Sequence, residues 1–220
     1  MNFNFHQIIR FSTLACLFLF SETVSGQAYR FRNYGTESAL PSEVIYSLSQ
    51  DRDGYLWVGT TEGISRFDGF RFYKVHFPDS ADGRYPTVSI KDSRGTLWFG
   101  CNDGTIFYSA GRRLLQVTLP NSSGTGISSI LEAGDGSIYV VAQRKPLYKI
   151  DPGEPDAVEI IPFGPDPNIF SAGFTNNGQL LLGTQENLMI CNIEADSLIA
   201  VNSVEGFDYS RIMAIYSLGS

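Results

Sequence analysis

The sequence predicts an all-β fold, a β-propeller built of four-stranded blades, and three observations support this class. A glycine-centred motif recurs four times, with its glycines 41, 41 and 42 residues apart. Short β-type runs bounded by turn residues fill each repeat. The segment from residue 27 to residue 220 shows neither sustained apolar periodicity of 3.6 residues nor helix caps. Four strands in about 41 residues indicate a propeller blade rather than a helical repeat.

The repeat consists of a turn followed by an apolar strand. Its copies read DRDGYLWVG (51–59), DSRGTLWFG (92–100), AGDGSIYVV (133–141) and TNNGQLLLG (175–183). A second turn position lies nine residues after the first glycine. A β-sandwich would not repeat turn residues in register. The residues expected to maintain the repeat are Gly54, Trp57, Gly59, Gly63, Gly95, Trp98, Gly100, Gly104, Gly136, Gly178 and Gly183.

The extent of the propeller follows from its strands. The first repeat contains the β-type runs VIYSL, YLWVGT, ISRF and FRFYKV, of which the first would be innermost. The final residues AIYSLGS (214–220) match VIYSLSQ (44–50), which contains that inner strand. We therefore expect residues 27–220 to form an incomplete arc of four blades plus the first strand of a fifth, the truncated N-terminal part of a longer protein.

Residues 1–26 have the features of a secretory signal peptide. Arg10 precedes the apolar run FSTLACLFLF (11–20), and SETVSG then supplies small residues. The run is shorter than the roughly 20 residues that cross a bilayer, so cleavage after Gly26 and a periplasmic location are expected. Cys101 and Cys191 then remain in different repeats, where buried free thiols are a better prediction than a disulfide.

The pattern D-x-x-G-x-L-W-[VF]-G-T followed by G-[IL]-x-R-[FY]-D-G resembles the two-component regulator propeller repeat. It stands here at Asp51 to Thr60 and Gly63 to Gly69, with a second good copy at Asp92 to Gly104 and two degenerate later copies. The resemblance implies the periplasmic ligand-sensing region of a membrane-bound hybrid histidine kinase of Bacteroidetes type, for which glycans are frequent signals. It also implies a downstream β-sandwich, membrane helix and kinase in the parent protein, which could form a homodimer.

Two features of the motif admit a functional and a structural interpretation. The acids of DRDG lack the spaced oxygen ligands and final glutamate of a calcium loop, and later copies replace them, so a turn is favoured and no metal is expected. Trp57 and Trp98 could form a sugar platform, but their equivalent strand positions favour packing between blades.

The sequence offers little support for catalysis or for nucleic-acid binding. The 23 acids and 16 bases form no basic run. After removal of the signal peptide His76 is the remaining histidine, and no G-x-S-x-G, H-E-x-x-H or phosphate-loop motif occurs. We therefore expect no catalytic module and no cofactor in this chain. An exported propeller enzyme of the lyase or glycosidase type, or a protein-interaction scaffold, remains the alternative.

The candidate ligand site is predicted from strand direction. Because strand direction alternates within a blade, the loops from the second to the third strand lie on the same face as the loops that lead into the next blade. These loops are polar, and the longest is HFPDSADGRY (76–85). Loops on a rigid scaffold commonly bind ligands, although each of these residues could simply be solvated. The candidates for binding a small polar ligand, such as an oligosaccharide, are Glu62, Arg84, Tyr85, Asn102, Arg144 and Gln185.

Overall fold

The structure is a computed structural model that describes residues 31–79, 82–162, 168–185, 188–194 and 197–203, together with residues 212 and 215. The chain divides into two units, residues 1–33 and 34–220. In the first unit only residues 31–33 are described, and they have no regular secondary structure. The predicted signal peptide at 1–26 lies outside the described residues, as does the predicted fifth-blade strand at 214–220 except for Ile215.

The described residues of the second unit form one short 3-10 helix, Thr36–Ser38, and four antiparallel sheets of four strands. Blade 1 consists of β1 (Ile45–Gln50), β2 (Leu56–Thr60), β3 (Gly63–Phe67) and β4 (Phe72–Val75). Blade 2 consists of β5 (Pro86–Lys91), β6 (Leu97–Cys101), β7 (Ile106–Ala110) and β8 (Arg113–Val117). Blade 3 consists of β9 (Ile127–Glu132), β10 (Ile138–Ala142), β11 (Leu147–Asp151) and β12 (Glu154–Ile161). Blade 4 consists of β13 (Ser171–Phe174), β14 (Leu180–Gly183), β15 (Leu188–Glu194) and β16 (Ser197–Ser203).

Each sheet is a simple meander, because its strands pair in chain order. The first strands of successive blades lie side by side. Side-chain hydrogen bonds join them: Ser49 Oγ lies 2.7 Å from Ser89 Oγ, and Ser129 Oγ accepts a hydrogen bond from the Ala172 amide at 3.0 Å. The predicted all-β propeller architecture is confirmed for the four blades. Among the described residues, no helix is long and apolar enough to cross a membrane.

The hydrophobic cores lie between neighbouring blades. Trp57 of blade 1 is fully buried and packs against Phe99 of blade 2, with ring centroids 5.7 Å apart. Trp98 occupies the same position one blade later and belongs to the core shared with blade 3. Tyr139 takes this position in blade 3 and packs against blade 4. The predicted packing role of the two tryptophans is therefore confirmed, since such large buried rings contribute most of the contact between blades.

The repeated turn is fixed by its aspartate and its glycine. Asp51 Oδ1 accepts a hydrogen bond from the Tyr55 amide at 2.9 Å, and Oδ2 accepts one from Trp57 Nε1 at 2.8 Å. In the next blade, Asp92 Oδ2 likewise accepts a hydrogen bond from Trp98 Nε1 at 2.9 Å. The carboxylate therefore connects the turn to the inter-blade core, and the turn interpretation of DRDG is confirmed. The repeat glycines have positive φ at Gly54 (87°), Gly95 (80°), Gly136 (84°) and Gly178 (80°).

Asp51 is charged in its native setting because hydrogen bonds outweigh its burial. Burial alone would raise the pKa of this carboxyl. Hydrogen bonds from Trp57 Nε1, the Tyr55 amide and Arg66 stabilise the ionised form, so the pKa falls below its ordinary value of 3.8. Arg66 also forms an ion pair with Asp51 at 3.2 Å.

The glycine that closes the motif is required by close approach of the next blade. In blades 1 and 2 a Cβ built at this position would lie far inside normal contact distance of the first residue of the next inner strand, 2.5 Å from Pro86 for Gly59 and 2.5 Å from Ile127 for Gly100. A Cβ built at Gly183 would lie 2.8 Å from the side chain of Ile212. Blade 3 departs from the pattern, because Val141 replaces the glycine and packs in the core shared with blade 4.

The second turn position is occupied by a left-handed glycine in the first two blades, with φ of 106° at Gly63 and 89° at Gly104. In blade 3 the left-handed residue is Arg144, with φ of 55°, one position before the residue aligned with these glycines. The third hairpin thus reaches the same strand pairing through a different turn.

Candidate functional site

The predicted loops do share one side of the propeller, which we call the loop face. It carries the connections from the second to the third strand of each blade and the segments that enter the next blade. The Asn102 amide donates to the Tyr85 carbonyl at 3.0 Å, and the Gln143 amide donates to the Gly126 carbonyl at 3.1 Å. Each hairpin on this face is thereby joined to the segment that precedes its own blade's first strand.

Arg84 anchors the long loop that leads into blade 2. Its Nε donates to Asp103 Oδ2 at 2.6 Å, and its Nη1 forms a short ion pair with Asp79. The guanidinium carbon lies 5.3 Å from the ring centroid of Phe107, and the side chain is only 7% exposed. Two acids therefore already balance the charge of Arg84, and its main observed role is to hold the loop against blade 2.

Asp103 is the charged partner in this anchor. Burial would raise its pKa, but hydrogen bonds from Arg84 and Thr105 overcome that effect and lower the pKa below its ordinary value. The carboxylate is thus ionised at neutral pH and its ion pair with Arg84 is intact.

Asn102 and Tyr85 also stabilise this loop. Asn102 Oδ1 accepts a hydrogen bond from the Tyr85 amide at 3.0 Å, and Nδ2 donates to the Gly83 carbonyl at 3.1 Å. The ring of Tyr85 stacks on Tyr46 of blade 1 at 5.1 Å between centroids. The side-chain amide of Asn102 therefore has protein partners at both of its polar atoms.

A cleft of about 760 Å³ opens between the β2–β3 turn and the long loop. We call it the loop-face cleft. Its volume falls within the range of small-molecule sites, roughly 300–1,000 Å³. Two of the predicted ligand residues, Glu62 and Arg84, line it together. The complete lining is Thr61, Glu62, Gly63, Lys74, Val75, His76, Phe77, Pro78, Asp79, Asp82, Gly83 and Arg84.

The polar lining of the cleft contains the carboxylates of Glu62, Asp79 and Asp82 beside Lys74, His76 and Arg84. Glu62 and Asp82 are exposed and form no ion pair with any residue that the structure describes. Phe77 supplies an apolar wall and packs on Phe107 at 4.8 Å. Carboxylate oxygens accept hydrogen bonds from hydroxyl groups, and a ring face can support the apolar face of a sugar. The arrangement therefore suits a polyhydroxylated ligand.

The other predicted residues are not part of this cleft. Arg144 and Gln185 lie on the loop face at the hairpins of blades 3 and 4, and both are exposed. Asn102 and Tyr85 flank the cleft behind Arg84 without lining it. Sequence analysis names neither Asp79 nor Asp82 as a ligand residue. Both belong to the long loop, and the length of this loop is the sequence feature that predicts a site there.

Within the described residues, no group of three or more histidine, cysteine, aspartate or glutamate side chains could hold a metal ion. Cys101 and Cys191 are free and buried, as predicted. Burial raises the pKa of the Cys101 thiol far above its ordinary value, so a thiolate nucleophile at neutral pH is disfavoured there.

Comparisons with known proteins agree with this architecture. The sequence model of the two component regulator propeller matches residues 39–62, which run from just before β1 to the β2–β3 turn. A histidine kinase, "Histidine kinase P4" of Formosa agariphila, is 31% identical over 81 residues, or 36% of this chain. The chain spans only 6% of that relative's length.

Solved structures with similar folds have several functions. The extracellular domain of the hybrid two-component system BT3049 of B. thetaiotaomicron matches 82% of this chain and 25% of that one, with 24% identity and a TM-score of 0.68. Inactive virginiamycin B lyase from Staphylococcus aureus matches 78% and 57%, with 16% identity and a TM-score of 0.60. PorZ, a surface component of the type-IX secretion system of Porphyromonas gingivalis, matches 78% and 29%, with 14% identity and a TM-score of 0.61.

Fold and hairpin geometry define the described part of the chain as a β-propeller domain. More specifically, residues 39–62 match the sequence model of the two component regulator propeller, and the resemblance predicted from the sequence is confirmed for this segment.

Proposed function

We propose that this propeller is the ligand-sensing module of a membrane-bound two-component signalling protein and that the loop-face cleft binds a carbohydrate fragment. The repeat match, the likeness to an extracellular two-component domain and the histidine kinase relative support the signalling role. The sequence of residues 1–26 supports export to the periplasm. The parent protein would then carry a β-sandwich, a membrane helix and a kinase downstream, and would be able to form a homodimer.

The cleft chemistry is the observation that carries the carbohydrate proposal. Glu62 and Asp82 present unpaired carboxylates across a concave site, and Phe77 supplies an apolar surface beside them. Arg84 joins the supporting loop to blade 2 through its ion pair with Asp103. A ligand bridging the β2–β3 turn and this loop would contact blade 1 and the entry to blade 2 at once, so its binding would stabilise the junction between them.

Arg84, Asp79 and Asp103 are paired with one another, so their charges are less available for acid–base catalysis. Ligand binding is therefore favoured over catalysis. Similar folds include a lyase, and His76 lies in the cleft lining, so catalytic turnover is the alternative that the experiment must detect. A scaffold for protein partners would need no small-molecule response at all.

The test is a thermal-shift screen of the chain with neutral and acidic oligosaccharides. Any sugar present at 100 times its dissociation constant should stabilise the protein by about 2.7 kcal/mol. The double variant Glu62→Gln/Asp82→Asn should lose the response, whereas Glu154→Gln/Asp156→Asn on the exposed start of β12 should keep it. Absence of any response, or equal responses in the two variants, contradicts the proposal. Mass spectrometry of the incubated sugars should show no product, and cleavage would favour the enzyme alternative.

A further inference from the structure

A second cavity of about 700 Å³ lies beside the outer strands of blades 1 and 2. We call it the basic groove. One wall is formed by β4 and the residues after it, and the other by the start of β8 and the turn before it. Its lining is Tyr55, Arg66, Asp68, Tyr73, Lys74, Val75, His76, Pro78, Arg112, Arg113 and Leu114.

The groove is positively charged on a protein that is acidic as a whole. Four lysine or arginine side chains and one aspartate line it, whereas the chain has a formal net charge of −7. Lys74, Arg112 and Arg113 are exposed and form no ion pair with any described residue. Three cations on facing walls thus remain available to an anionic ligand.

Both oxygens of the aspartate in the lining accept hydrogen bonds from groups close to it in the sequence. Asp68 Oδ1 accepts hydrogen bonds from the amides of Phe70 and Arg71, each at 2.8 Å, and Oδ2 accepts one from Tyr73 Oη at 3.1 Å. The carboxylate therefore fixes the β3–β4 turn and orients the Tyr73 ring.

Aromatic surface lies among the cations. Arg66 is held by Asp51 at 3.2 Å, and its guanidinium carbon lies 3.4 Å from the ring centroid of Tyr55. Tyr73 is 51% exposed and stands across the β3–β4 pair from Arg66. The groove therefore combines an aromatic surface with exposed cationic side chains along its edges.

We propose that the basic groove binds an acidic oligosaccharide, with its carboxylate or sulfate groups on Lys74, Arg112 and Arg113 and a sugar ring against Tyr73. The guanidinium groups can bind each acidic group through two parallel hydrogen bonds. Tyrosine rings favour the apolar faces of sugars over a bare inorganic anion. A concave groove with cations on opposite walls fits a chain of sugar units better than a flat lipid surface.

This proposal is independent of ligand binding in the loop-face cleft. The two cavities share Lys74, Val75, His76 and Pro78, but Glu62 and Asp82 line only the cleft, whereas Arg112 and Arg113 line only the groove. Variants of Glu62 and Asp82 therefore test the cleft, and variants of Arg112 and Arg113 test the groove.

The test is fluorescence anisotropy of the chain with labelled hexasaccharides. A heparin-derived hexasaccharide and a galacturonic acid hexamer are the acidic probes, and maltohexaose is the neutral one. Arg112→Gln/Arg113→Gln should weaken binding of at least one acidic probe about tenfold, since two charged contacts are lost. The control Arg71→Gln/Lys91→Gln removes two charges outside the groove and should change binding less than twofold.

The dissociation constant of the bound probe should also rise with salt, because the ligand contacts are charged. The proposal is overturned by equal binding in the two double variants, by equal binding of maltohexaose, or by no binding of either acidic probe. Binding of phosphatidylglycerol vesicles without binding of the acidic sugars would also overturn it in favour of a lipid surface.

Discussion

Replacing Asp92 by alanine should destabilise the propeller markedly, because this side chain connects a surface turn to a buried tryptophan. Its Oδ2 accepts from Trp98 Nε1 at 2.9 Å, and its Oδ1 accepts from the Thr96 amide at 2.7 Å. Asp92 and Trp98 are 4% and 1% exposed, so water cannot replace the lost acceptor at the indole.

The size of the loss follows from the two donors left without a partner. An orphaned buried donor costs about 1–3 kcal/mol, and the Thr96 amide is only partly buried. The expected loss is therefore about 2–4 kcal/mol, a large part of the roughly 5–15 kcal/mol that stabilises a typical domain. The loss of stability in Asp92→Asn should be smaller than in Asp92→Ala but still measurable, because the asparagine side chain offers an acceptor to only one of the two donors.

The assay is urea unfolding followed by tryptophan fluorescence, since Trp57 and Trp98 are the protein's two tryptophans. The matched control is Asp135→Ala in the third blade. Asp135 is exposed and accepts a hydrogen bond from the Ser137 amide at 2.9 Å, so its loss should cost less than about 1 kcal/mol. If Asp92→Ala costs no more than this control, the proposed link between turn and core is wrong.

Three further outcomes follow from the geometry. Gly104→Ala should lower the unfolding free energy by well over about 2 kcal/mol, because the new Cβ would lie 2.2 Å from a backbone carbonyl oxygen. Gly111→Ala is the control: its Cβ would meet open space, so it should cost about 1–2 kcal/mol from its positive φ alone. Equal losses in the two variants would refute the contact at Gly104. Because the pKa of Asp103 is lowered on folding, its stabilisation is present above the unfolded value of about 3.9 and is lost as pH falls through the folded value. Melting temperatures between pH 7 and pH 2.5 should accordingly fall less steeply for Asp103→Asn than for wild type, and parallel curves would contradict this. Burial raises the pKa of Cys191 to about 11, so this thiol should react with a disulfide reagent at pH 8 only after unfolding, and rapid labelling of the native protein would refute its burial.

The features that repeat were the ones that the sequence could predict. Four evenly spaced turn glycines predict four blades, and the equivalent positions of Trp57 and Trp98 predict an inter-blade core. Both predictions depend only on register, which a repeated sequence displays directly. The hydrogen bonds from each indole to its aspartate are consistent with the same register, since six residues separate the partners in both copies.

The features that do not repeat required the structure. The ion pair of Arg84 with Asp103 joins a long loop to a hairpin 19 residues later, and no other blade has a corresponding pair among the described residues. Ligand binding by Arg84 stays a prediction from the sequence, to which the structure adds that Asp79 and Asp103 already pair with its charge. The basic groove likewise depends on Arg112 and Arg113 facing β4 of the preceding blade, a juxtaposition that composition cannot reveal.

A sugar bound in the loop-face cleft should stabilise the junction of blades 1 and 2. Hydrogen–deuterium exchange of the chain, with and without the oligosaccharide mixture used for thermal shifts, tests this most directly. Exchange should become slower in peptides that cover residues 60–63 and 76–85. Unchanged exchange in these segments with every sugar, or protection confined to blades 3 and 4, would contradict it.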